Sequence, residues 1–356
     1  MKITPIRQMG SFGVYVDGID MDHMTEPEWH ELGQLFVKEL VVIFRNIKIS
    51  KTQFLDWIPK FGPLKTNLRA HFYKKYGTTF DAMNPSTWNS LDPTDRKWAE
   101  SRSHQLEPSG DGRYLTRIYG QKDKHGNMLG YFSHGEVHWH CDESSSLLFT
   151  PAVALMGHSH MIGSATGFVQ TIDLYEEITD SFRSELKEMI LVHRYIQGQV
   201  NSEENTDGML ALHLKMGFCP EDGEETPLIC VAPNGKTGIH YPMNTRHKIK
   251  NMSEHESQQV FAQLNNLILN KKWIFDHHYQ SDNDLVLFEN SVTLHRRIGG
   301  HAERKAFRMQ FDLSSVLDSP WLPWQHNSEF NQQYKVKIRE FVNLIGGDLG
   351  ERFKLP

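Results

Sequence analysis

His140 and Asp142 stand two residues apart in Trp139-His140-Cys141-Asp142, and on an extended segment residues so spaced face the same side. An imidazole and a carboxylate placed in this way can share one divalent ion. A second histidine arriving from elsewhere in the chain would complete the facial triad of non-haem Fe(II), which leaves adjacent coordination positions open. Such open positions are what O2 chemistry requires. The pattern is weak alone: with 20 histidines, roughly one His-x-Asp is expected by chance. Its context is the segment Phe288-Glu289-Asn290-Ser291-Val292-Thr293-Leu294-His295, in which a strand is expected to end in a turn and then a histidine. A further strand begins with Arg304 and Arg308, four apart and therefore on one face, where a guanidinium can grip a carboxylate in a bidentate way.

The elements that must carry these residues announce themselves locally. Thr25 with Glu28, Ser50 with Gln53 and Ser253 with Glu256 form capping boxes, and each precedes apolar residues at helical spacing, such as Trp29, Leu32, Phe36 and Leu40 after the first. Leu40 to Phe44 reads as a buried strand, and Gly62-Pro63 stops the helix that follows it. Residues 66 to about 130 are polar and rich in turn formers, which predicts a long surface excursion with a hairpin tip at Lys124-His125-Gly126-Asn127. From Val137 onward short strands are expected at 137–140, 152–160, 167–172, 228–232, 238–241, 284–288 and 307–313. Helices interrupt near 174–191 and 254–270, and an amphipathic helix over about 329–345 halts at Gly346-Gly347. The fold class is thus α+β with a mainly β core of sandwich or jelly-roll type flanked by helices. We expect one domain over 1–356, with the excursion at 66–130 and a C-terminal helical extension at about 315–356.

Composition narrows the function classes. Hydrophobic residues make up 38% and charged residues 23%, which describes a folded globular chain. A formal charge of −6 leaves no electrostatic footprint for nucleic acid or an anionic membrane, so a small-molecule partner is expected. Cys141, Cys219 and Cys230 show no CxxC spacing and support neither a disulfide framework nor a zinc-thiolate site. No apolar run of membrane or signal-peptide length is found, and a reducing, cytoplasmic location is expected.

Several ordered segments resemble the family of Fe(II)/2-oxoglutarate oxygenases that includes taurine dioxygenase and the 2,4-D-degrading enzyme. They are Ile3-Thr4-Pro5, Val41-Val42-Ile43-Phe44-Arg45, Phe61-Gly62-Pro63-Leu64, Trp139-His140-Cys141-Asp142, Gly163-Ser164-Ala165-Thr166 and the Asn-x-Val-Thr-x-His ending at His295. Chance does not order six such pieces. The resemblance implies a double-stranded β-helix with Fe(II) on His140, Asp142 and His295. It further implies 2-oxoglutarate as co-substrate, its far carboxylate on Thr166 and Arg304, and an anionic end of the prime substrate on Arg308. The interval from His295 to Arg304 is slightly short for the family, which leaves open which arginine holds 2-oxoglutarate. Turnover with O2 would yield succinate and CO2 and hydroxylate an unactivated C–H bond. A carboxylate at position 142 disfavours halogenation, because related halogenases carry a small residue there.

Departures from the family pattern bear on the substrate. Gly-Ser-Ala-Thr stands where Gly-Gly-Asp-Thr is usual, two residues are added before Asp173, and the 66–130 excursion is long, so taurine is not carried over. A metal-dependent hydrolase and a non-catalytic jelly-roll binding protein are the competing readings, and neither accounts for a threonine and two arginines around an open triad. His134-x-Glu136 and His301-x-Glu303 are rival metal pairs expected at the surface. His138, on the same strand face as His140, could support the site from behind or meet the substrate, whereas His158 and His160 lack further ligands at a fixed spacing. Cys141 should pack. Tyr114, Arg117, Tyr241, Pro242 and Asn244 fall where the family approaches its substrate, although loop packing explains each of them alone. A homo-oligomer is compatible with the chain.

Overall fold

The computed structural model describes residues 1–64, 75–76, 84–101, 103, 106–122, 124, 129, 136–144, 147, 149–194, 223–300 and 302–345. The capping boxes act as written. Thr25 donates both its backbone N–H (2.7 Å) and its hydroxyl (2.8 Å) to Glu28, opening the helix Glu26–Glu39. Trp29, Leu32, Phe36 and Val37 form the buried stripe of that helix. The chain reverses at Leu40, whose φ of 62° is left-handed, at a local cost of about 1–2 kcal/mol. Complete burial of the Leu40 side chain offsets that cost. Ser50 and Ser253 cap the helices Lys51–Trp57 and Glu254–Ile268 by the same device.

The strands, in chain order, begin with β1 (Lys2–Pro5), β2 (Val14–Asp17), β3 (Val41–Phe44), β4 (Leu106–Pro108), β5 (Tyr114–Tyr119) and β6 (Val137–His140). Next come β7 (Ala152–Ser159), β8 (Ser164–Gln170), β9 (Ile190–His193), β10 (Glu224–Pro227), β11 (Ile229–Val231) and β12 (Thr237–Ile239). The last are β13 (Arg246–Ile249), β14 (Ile274–His278), β15 (Leu285–Glu289), β16 (Thr293–Gly299) and β17 (Lys305–Phe311). An eight-stranded sheet runs β1-β2-β3-β15-β7-β17-β5-β4, and a four-stranded sheet runs β14-β8-β16-β6. Small sheets, β10-β9-β13 and β11-β12, complete the topology of the described residues. The two large sheets face each other. Val41, Ile43, Val153, Leu155, Val286, Phe288 and Ala306 of the first share one buried cluster with Phe168 and Phe275 of the second.

The opposite face of the eight-stranded sheet is covered by the N-terminal helices, with Trp29, Phe36, Phe54 and Phe61 packed on Phe44, Leu287, Phe307 and Phe311. Gly62 permits this approach, because a Cβ there would lie 2.0 Å from the Asp312 carbonyl oxygen. The C-terminal helix Ser328–Ile345 packs Phe330, Tyr334 and Ile338 against Trp324, Phe149 and Phe12.

Several boundaries differ from expectation. The predicted helix 174–191 is two, Ile172–Glu177 and Asp180–Glu188, because Thr179 caps the second by accepting from the Phe182 N–H. β8 begins at Ser164 rather than 167, and β17 begins at Lys305 rather than 307. The excursion contains the helix Pro93–Ser101, and its later part supplies β4 and β5 to the sheet edge. The hairpin tip at 125–127, His134, Cys219, His301 and Gly346-Gly347 lie outside the described residues.

Candidate metal centre

As expected, β15 ends in a short bend at 290–292 before the histidine, and His295 is the third residue of β16, directly across from His140 of β6 and Phe168 of β8. Residues opposite each other in a ladder point to the same face, so both imidazoles project from the four-stranded sheet toward its partner. Their ring centroids are 4.0 Å apart. Asp142 lies in the turn after β6 rather than on the strand, and its Oδ1 is 3.6 Å from His140 Nε2 and 3.7 Å from His295 Nε2. All three side chains are buried, and their ligand atoms lie within 4.8 Å of one another.

Each group is held in a state suited to a cation. The His140 Nδ1–H donates to the backbone carbonyl of His138 at 2.7 Å, which leaves the Nε2 lone pair turned to the centre. Burial holds His295 well below the ordinary histidine range, with His140 adding to the effect, so its imidazole is neutral and able to ligate. Burial alone would push the Asp142 carboxyl up. The charge of Arg308 and the two imidazoles outweigh it and hold the group ionised, below the usual carboxylate range.

The turn that carries Asp142 is clamped from the other end of the motif. Asn290 accepts from the Asp142 N–H at 2.7 Å and donates to the Asp142 and Thr150 carbonyls at 2.9 and 2.8 Å. Glu289, buried and pushed up to about 6 by burial, accepts from the N–H groups of Ser291, Val292 and Thr293. Together these residues shape the short bend between β15 and β16.

The two arginines separate in role. Arg308 lies on the inner-facing side of β17 with Ala306, Arg304 immediately precedes the strand, and Arg308 donates to Asp142 Oδ2 at 2.9 Å. Arg304 is 3% exposed, and its Nη2 has no hydrogen-bond partner among the described residues. Burial draws the Arg304 guanidinium from its ordinary range down to about 10, partly opposed by Tyr279. Gly300 lies beside it with φ at +114°, a conformation that favours glycine, and a Cβ there would stand tightly at 3.3 Å from Ser164 Cβ. Thr166, on the same face as the two histidines, is bonded through its hydroxyl to Tyr279 at 2.9 Å.

The remaining residues singled out in the sequence sort plainly. The His138 side chain is exposed, and its backbone carbonyl accepts from His140 Nδ1. His158 and His160 sit at the exposed end of β7, His160 Nε2 lying 3.5 Å from Glu303. Glu136 is exposed. Cys141 packs in a hydrophobic cluster with Trp139 and Leu294. Arg117 pairs with Phe307 in the ladder and is bound by Glu107, on the helix-covered side of the sheet and away from the triad. Tyr241 is buried against Phe261, its hydroxyl bonded by Arg246. The contributions of Asn290, Tyr279 and the Arg308 contact to Asp142 were not foreseen. Only Asn290 lay in a motif that could have signalled it.

The family model described as Taurine catabolism dioxygenase TauD, TfdA family matches residues 2–310. Among solved structures, AAD-2 in complex with Mn(II) and N-oxalylglycine is similar at a TM-score of 0.59 and 17% identity, over 87% of this chain and 97% of that one. A taurine dioxygenase from Burkholderia xenovorans is similar at 0.57 and 15%, over 87% of this chain and 88% of that one. Likeness at these identities is likeness of fold. A comparison with curated proteins finds no match.

Proposed function

Because the chain belongs to the taurine catabolism dioxygenase TauD, TfdA family and is a 2-oxoglutarate-dependent non-haem iron dioxygenase, we propose that His140, Asp142 and His295 hold its Fe(II). We further propose that it hydroxylates an unactivated C–H bond of a small anionic substrate. Iron, O2 and 2-oxoglutarate together supply the oxidising power, with release of succinate and CO2. The chain's own residues bind, orient and exclude water.

The observation that carries this reading is a buried triad of two imidazoles and one ionised carboxylate, together with a buried guanidinium, Arg304, whose Nη2 has no hydrogen-bond partner among the described residues. A cation so buried is costly without an anion. The far carboxylate of 2-oxoglutarate would supply one, which favours Arg304 with Thr166 over Arg308 as the co-substrate pair. Arg308 touches Asp142, so an anion drawn to it would lie within reach of the metal, and we assign it to the prime substrate. We read the facing sheets as a double-stranded β-helix within a single oxygenase domain. Cys141 and Cys230 are free and buried, which suits the cytoplasm, and no described helix is long and apolar enough to cross a membrane.

Anaerobic addition of 2-oxoglutarate to the Fe(II) protein tests the reading. A weak visible metal-to-ligand charge-transfer band is expected. Iron binding without that band would favour a hydrolase or a binding protein.

A further inference from the structure

Tyr279 follows the last residue of β14 and is 2% exposed, within the cluster between the two sheets. Its ring meets the imidazole of His277 edge-on at 4.8 Å, and His277 Nε2 is in turn 3.1 Å from Asp284. The phenol is therefore fixed from behind. Burial pushes it up to about 12, so it stands as a neutral donor. Its hydroxyl and that of Thr166 are 2.9 Å apart. Two hydroxyls carry two protons, and one hydrogen bond between them uses only one. Among the described residues the second O–H has no acceptor, and the neighbouring Arg304 Nη2 has none either. A pair of buried hydroxyls with one O–H to spare and a buried guanidinium with an unpartnered Nη2 describe an oxyanion cradle, with no acidic side chain hydrogen-bonded in it among the described residues.

Resting on the reading of the co-substrate site above, we propose that Tyr279 is a third ligand of the 2-oxoglutarate pocket. Its phenolic O–H acts with Thr166 and Arg304 on the carboxylate remote from the metal. The residue sets co-substrate affinity and leaves the metal end untouched.

Calorimetric titration of the Mn(II)-loaded full-length protein separates these ends. N-oxalylglycine carries the remote carboxylate, whereas pyruvate keeps the 2-oxo acid and lacks it. Tyr279→Phe preserves the ring on His277 and removes one oxygen. It should weaken N-oxalylglycine roughly tenfold, as expected for a hydrogen bond to a charged group, and leave pyruvate unchanged. Thr166→Val should show the same selectivity, and the double variant should lose less than the sum of the two, because the hydroxyls act as a pair. Undiminished N-oxalylglycine affinity in Tyr279→Phe, or equal weakening of both probes, would overturn the proposal. If the wild-type protein binds neither probe, the co-substrate reading itself fails and this inference falls with it.

Discussion

The two oxygens of Asp142 have different neighbours: Oδ1 looks toward both imidazole Nε2 atoms, and Oδ2 is taken by Arg308. The arginine thereby keeps the carboxylate from rotating and, in the proposed centre, fixes which oxygen would be offered to the metal. Removing such a partner of a ligand typically costs roughly 10–100-fold in metal affinity. Arg308→Ala should therefore weaken Mn(II) binding by that order in a titration followed by electron paramagnetic resonance, and unchanged affinity would reduce the contact to decoration. At this scale the three side chains that converge, His140, Asp142 and His295, could be singled out from the chain, because His-x-Asp and a distant His within Asn-x-Val-Thr-x-His are local patterns. The Arg308 contact could not, since it depends on how two sheets register across the core. Tyr279 is of the same kind: nothing in His277-His278-Tyr279-Gln280 marks which hydroxyl meets Thr166.

Between residues and fold lie the short elements that aim the ligands. Asp142 sits in a turn, so its direction is set by Asn290, which makes three hydrogen bonds to the Asp142 and Thr150 backbone. Asn290→Ala would orphan buried backbone groups at about 1–3 kcal/mol each. A clearly lowered melting temperature is expected, together with loss of the Asp142 ligand geometry. A variant that melts and binds metal like the wild type would show that the turn holds itself. Helix starts were legible because capping is decided within four residues, as at Thr25, Ser50 and Ser253. β16 was not. His295-Arg296-Arg297 reads as a cationic run, yet alternate residues serve opposite faces: Arg296 stacks over Trp139 at 4.5 Å and reaches Asp276, while His295 faces His140. The break at Ile178–Thr179 was hidden for a related reason, since an apolar stripe continues through it and only the Thr179 cap divides the helix.

For the whole molecule the central fact is convergence. β6 and β16 lie far apart in the chain but pair side by side, and the facing eight-stranded sheet brings Arg304 and Arg308 to the same space from β17 and the residue before it. Composition could establish only that a large core was affordable; the mainly β class followed from short runs punctuated by turns, and the pairing order from neither. The account stands on one metal ion at the meeting of these strands. Anomalous diffraction at the iron edge from crystals grown with Fe(II) without oxygen tests it most directly. A single peak within bonding distance, about 2.0–2.2 Å, of His140 Nε2, Asp142 Oδ1 and His295 Nε2 is predicted. Iron bound elsewhere, or a site that omits any of the three, would contradict it.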